Sequence, residues 1–193
     1  MPVFLGIAAA SEDGDWVTRM RDVVRSTLVA ANLPPYDEPD KLPPASDRDL
    51  DIKSFRMLAR TIIRARGKQA GPFQDIATSV GQIIVPGEFT DRVEADGLDR
   101  TKIARCLWST AAFRASLKLA ALTLGLPLSN NDVPAAIVKK VDAGQKLSKN
   151  DPASDEPDEH GFSMLEHYRP GWLTAWELSR IAHEHNCALV ITA

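Results

Sequence analysis

The sequence predicts an α/β or α+β fold, a small, mainly apolar sheet of about three to four strands packed by about five helices. Three observations carry that expectation. Apolar runs near 3–8, 82–85 and 187–192 are too short for helices and are bounded by turn-forming residues. Amphipathic stretches at helical spacing lie between them. The stretch from Asp99 to Leu126 holds no helix breaker before Gly125 and reads as a central buried helix near 101–124.

In chain order, Val3–Ala8 is a continuous apolar run that suits a strand covered on both faces. Ser11-Glu12-Asp13-Gly14-Asp15 then supplies caps and acids for a helix running to Ala31, with Trp16, Met20, Val23, Val24 and Leu28 inward. Residues 33–47 form a Pro-rich loop in which Pro34-Pro35 and Pro43-Pro44 forbid a helix. Loops of this length are uncommon in compact domains and often functional, although a plain surface bridge between two helices is the commoner explanation. The next helix, Leu50 to Arg66, turns Phe55, Leu58, Ala59, Ile62 and Ile63 inward and lines up Lys53, Arg56, Arg60 and Arg64 on its opposite side. Gln82–Val85, closed by Pro86-Gly87, is a strand and turn.

The central helix takes Asp99 or Thr101 as its cap and Gly125 as its stop, with Pro127 beyond. Ile103, Leu107, Ala111, Leu117, Ala121 and Leu124 make one stripe. Trp108, Ala112, Ala115, Leu119 and Leu122 make a second, which predicts burial on more than one side. A short helix follows at Val133–Ala143, then an acidic flexible segment at 144–160, whose Asp151–Glu159 part holds five acids and no base. Thr174-Ala175-Trp176-Glu177 matches a capping box and starts a last helix to His185. Cys187–Thr192 is the last strand, expected beside the first because chain ends often lie close.

The 193 residues fit a single globular domain, 1–193, and hydrophobic residues at 44% with charged residues at 25% are values of a folded chain. A net charge of -3 gives no overall attraction to nucleic acid or anionic membrane. Two cysteines make no disulfide framework and favour a reducing compartment. The opening run has no positive residue before it and is too short for a signal peptide, and no run is long enough to span a membrane. The expectation is a soluble, cytoplasmic, bacterial-like protein.

Chemistry has few local signatures here. Glycine patterns that cradle phosphate and a nucleophile elbow are absent. All four histidines lie after residue 159 among acids, the residue types of a zinc, manganese or iron site. His183 and His185 point about 200° apart on a helix and cannot grip one ion, which leaves His160 and His167 as the candidate divalent-metal ligands. The Lys53, Arg56, Arg60, Arg64 stripe suits an anion, an acidic partner or the chain's own acidic segment, though charged helix faces are most often just solvated. Tyr168, Trp172 and Trp176 suit a core or, if partly exposed, an interface anchor.

Val3-Phe4-Leu5-Gly6-Ile7 followed by Ser11-Glu12-Asp13-Gly14-Asp15-Trp16-Val17 resembles the opening of a TIR domain. The likeness covers residues 3–30. The family's Trp-Cys-x-x-Glu segment, whose glutamate is catalytic in the members that cleave NAD, has its nearest look-alike in Trp176-Glu177-Leu178 on the last helix, in the wrong topological place. The chain is therefore not assigned to that family.

The leading expectation is a non-catalytic interaction module that binds another protein or a small ligand, with no cofactor. The alternative is a metal-assisted hydrolase built on the C-terminal His/Asp/Glu cluster. A third reading, anion or nucleic-acid binding through 53–64, lacks interleaved aromatics and any known motif, so nucleic acid ranks low as a partner. A homodimer follows if the central helix lends one stripe to a second copy.

Overall fold

The computed structural model describes residues 3–43, 50–78, 80–94 and 104–192. Among them the order is β1 (Val3–Leu5), α1 (Gly14–Ala30), α2 (Ile52–Arg66), α3 (Phe73–Ala77), β2 (Gln82–Val85), β3 (Val93–Glu94), β4 (Cys106–Ser109), α4 (Thr110–Thr123), α5 (Ala135–Asp142), α6 (Arg169–Glu184) and β5 (Leu189–Ile191). The fold is mixed α/β, as the sequence predicts, and its sheet has five strands where three to four were expected.

The strands lie in the order β1-β5-β2-β4-β3. Strand β5 is antiparallel to both neighbours, pairing Leu189 with Leu5 on one side and with Ile84 on the other. Strands β2 and β4 are parallel, with Gln82 opposite Cys106 and Val85 opposite Ser109. Short β3 closes the far edge against β4. Strands β1, β2 and β4 therefore run the same way, and their carboxyl ends share one edge of the sheet with the amino end of β5.

Residue alternation along these strands splits the core in two. Ile83, Val85, Leu107, Ala188 and Val190 face α1, which presents Val17, Met20, Val24 and Leu28. Leu5, Ile84, Cys106, Trp108, Leu189 and Ile191 face a thicker layer built from α2, α3, α4 and α6. Three layers result, with the sheet buried on both sides. Buried along their whole length, β2 and β5 read as apolar runs, and β1 is marked as well although Val3 and Phe4 are half-buried.

The expected helix near 101–124 is corrected by the structure. Residues 106–109 are strand β4, and α4 begins only at Thr110, capped by the Ser109 hydroxyl, which accepts the Ala112 N–H at 2.9 Å. The proposed caps Asp99 and Thr101, with Ile103, lie outside the described residues. Cys106, Leu107, Trp108 and Ser109 are buried on alternating sides of a sheet, so Leu107 and Trp108 do not belong to helical stripes, whereas Leu117, Ala121 and Leu124 of the first stripe are buried as expected. Only one face of α4 is buried, through Ala112, Phe113, Ser116, Leu117, Ala120 and Ala121, whereas Leu122 of the second stripe is 66% exposed.

The last helix also starts earlier than its capping box suggests. Thr174 is buried inside α6. Ser163, three residues before Glu166, is the working cap, and its hydroxyl accepts the Glu166 N–H at 3.2 Å. One π-helical turn, Met164–Tyr168, precedes α6, with the Tyr168 N–H reaching back to the Ser163 carbonyl. Pro170 follows and has no N–H to donate, a position that suits the start of a helix.

Candidate functional site

In an open α/β sheet, ligands bind beyond the carboxyl ends of parallel strands. Here that edge is covered by the described part of the Pro-rich loop. Glu38 is the anchor. Its carboxylate accepts the backbone N–H groups of Ile7 and Ala8, just past the end of β1, and the guanidinium of Arg21 on α1 at 2.9 Å. The Glu38 side chain is fully buried and Arg21 is partly exposed. Asp37 pairs with Arg25 one turn further along α1, at 2.8 Å. Leu42 lies over Gly6, whose φ of +93° and lack of a side chain permit the approach, because a Cβ there would come within 2.5 Å of both Leu42 methyls.

Tyr36 sits between these anchors and is buried. Its hydroxyl lies beside the Ala188 amide and the Glu38 carboxylate without completing a hydrogen bond, and burial first, then Glu38, holds its pKa far above the ordinary tyrosine value. Cys187, at the amino end of β5, is pushed up to about 11 by the same burial and the same carboxylate. That thiol is a poor nucleophile at neutral pH.

Between the loop and the Pro86–Phe89 turn after β2 lies a cleft of about 470 Å³. Pro34, Pro35 and Tyr36 line one wall, Pro86, Gly87 and Phe89 the other, with Asp37, Glu88 and Asn186 at polar positions. The Ser109 hydroxyl donates to the Phe89 carbonyl and ties this second wall to the start of α4. The cleft thus stands at the carboxyl end of β2 and the amino end of β5. None of its polar residues is among the candidate sites read from the sequence. The only local signal was Tyr36-Asp37-Glu38, three functional residue types inside a proline-rich run.

A wider, shallower groove of about 640 Å³ lies between α5 and α6, lined by Val138, Lys139, Leu173, Trp176, Glu177 and Arg180 among others. Trp176 stacks on Trp172 at 5.3 Å, donates its Nε1–H to Asp132 at 2.9 Å and carries the Arg114 guanidinium 5.2 Å over its ring. The indole bond holds the Asp132 carboxyl below the usual carboxylate range. Trp172 is completely buried, its Nε1–H on the Leu117 carbonyl at 2.8 Å. The Trp pair and Tyr168 are buried, the core use that the sequence also offered, and Trp176 lines the groove.

A third polar cluster is internal. Asp75 accepts the Trp108 Nε1–H at 2.8 Å, the Arg92 Nε–H at 3.2 Å and the Cys106 thiol at 3.4 Å. Burial and then Asp75 push the Cys106 thiol up to about 12.

The candidate metal ligands do not converge. Among the described residues no three His, Cys, Asp or Glu side chains stand together in a way that could hold an ion. His167 accepts the Ser163 N–H at its Nδ1, at 3.2 Å, and packs edge-on against Phe162. His160 lies 3.3 Å from Glu159 at the surface. Asp158, two residues before His160, accepts the Tyr168 hydroxyl, a bond that depresses its own pKa and, after burial, helps raise that of Tyr168 to about 12.

On α2, Lys53 is exposed, and Arg60 folds back so that its Nε–H approaches the Ala77 carbonyl at 3.4 Å. Arg64 faces Glu159 at 4.0 Å, both exposed, which brings the basic stripe near the acidic segment. Arg56 is half-buried and partnered. That acidic segment was expected to be exposed throughout, yet Asp151 is buried in a two-pronged ion pair with Arg169 at 2.6 and 2.8 Å. No helix among the described residues is long and apolar enough to cross a membrane. No protein-family model, curated protein or solved structure matches the chain.

Proposed function

We propose that this chain is a non-catalytic binding module that holds a small ligand in the cleft between the Pro-rich loop and the Pro86–Phe89 turn. The observation that carries this reading is the cleft's position at the carboxyl edge of the parallel strands, walled by prolines and two aromatics with a few polar groups among them. Its loop wall is fixed by Glu38 and Leu42, so the site is largely formed before anything binds. The high thiol pKa values of Cys106 and Cys187 argue against a cysteine nucleophile. A fragment screen by amide chemical-shift mapping tests the reading. Hits that move the amides of Tyr36, Asp37, Gly87, Glu88 and Phe89 support it; hits that map only elsewhere reject it.

A second reading, a protein partner seated on the α5–α6 groove, is favoured by the Trp176 floor and the charged rim of Lys139, Glu177 and Arg180. A partner captured by the protein should be lost when Val138→Asp and Glu177→Lys are introduced with the melting temperature unchanged. Self-association lost in the same variant would make that partner a second copy.

A further inference from the structure

Resting on the cleft reading, we infer that the ligand is an organic cation: an ammonium group carried on a compact ring or other apolar body. The charges of the cleft point that way. Its lining holds two carboxylates, Asp37 and Glu88, and no lysine, arginine or histidine. Asp37 is already paired with Arg25, so its charge is largely met within the protein. Glu88 is exposed at the mouth and has no partner among the described residues. It is the carboxylate left to be answered from outside.

The walls match the rest of such a molecule. Pro34, Pro35 and Pro86 offer flat, rigid apolar surface with little rotamer entropy to lose. Tyr36 and Phe89 add ring surface, and aromatic faces attract cations as well as apolar groups. The Asn186 side chain, from a residue held at φ +49° just before β5, supplies an amide for a second polar contact. An anionic ligand would meet Glu88 with no nearby cation in the lining to offset it.

The test uses three probes of nearly equal shape: phenethylamine, 2-phenylethanol and 3-phenylpropionate. Each is titrated into the full chain by amide chemical-shift mapping, and the amine and the alcohol also into Glu88→Gln, a surface substitution that leaves the core untouched. The expected result is that the amine binds about tenfold more tightly than the alcohol at low salt, from one charge-assisted contact, and that the carboxylate binds most weakly. Glu88→Gln should bring the amine down to the level of the alcohol without changing the alcohol. Equal affinity of amine and alcohol, or a preference that survives Glu88→Gln, overturns the cation inference and leaves the cleft as a site for neutral bodies. No movement of the cleft amides with any probe overturns the cleft reading itself.

Discussion

Arg169 and Asp151 show how far a single residue can act from its place in the chain. Arg169 is 1% exposed, and its guanidinium bonds both carboxylate oxygens of Asp151 and the Leu124 carbonyl at the end of α4. Asp151 in turn accepts the N–H groups of Leu147 and Ala153. One ion pair thereby ties residues 147–153 to the start of α6 and the end of α4. Breaking a buried pair from one side strands a charge, so Arg169→Met should cost about 3–5 kcal/mol in chemical denaturation, with part recovered when Asp151→Leu is added. The Arg169 bonds hold the Asp151 carboxyl far below the usual carboxylate range. Its folded pKa lies under its unfolded one, so the stabilisation is complete above about pH 4 and is lost as pH falls toward the folded value. Acid should lower the melting temperature of the native chain more than that of the double apolar variant. Neither Asp151 nor Glu38 was legible in the sequence. Each sits among acids or prolines, where charge reads as solvated, and each partner lies 17 or 18 positions away with nothing local to mark it.

At the scale of elements, the sequence located most of the longer helices and strands to within a few residues, left short α3 and β3 unmarked, and failed where β4 and α4 meet without a break. Between β4 and α4 there is no glycine or proline, only Ser109-Thr110, and a strand of four residues is shorter than the helical pattern it adjoins. Pairing with β2 overrides the local helical preference of 106–109, which is a tertiary effect. The Pro-rich loop is the other case. Its composition forbids a helix and residues 33–43 hold none, while 44–47 lie outside the described residues; prolines do not say what a loop is attached to. The attachment runs through Gly6, and it can be tested there. Gly6→Ala forces a side chain against Leu42 in a left-handed backbone position, and should cost about 1–3 kcal/mol. The same variant should expose residues 33–43 to limited proteolysis before the rest of the chain. A melt and a digestion pattern identical to the native protein's would mean that Leu42 yields without lifting the loop.

In the whole molecule, the apolar runs predicted a sheet, the usual closeness of chain ends predicted that its first and last strands are neighbours, and both are present. What they could not express is that β5 lies between β1 and β2, antiparallel to each. Runs buried on both faces carry no alternation from which direction or neighbour could be read. Deleting 187–193 removes that strand and its half of two ladders. The shortened chain should lose its cooperative thermal transition in circular dichroism, whereas a strand at a sheet edge would cost only part of the melting temperature. The arrangement also bears on how the protein is made. Synthesis delivers β1 and β2 long before the strand that separates them, so each waits with an unpaired edge while some hundred residues emerge behind the second. For that interval the nascent chain exposes apolar surface to its neighbours on the ribosome, and binding by a chaperone would shield it until the final segment slides in.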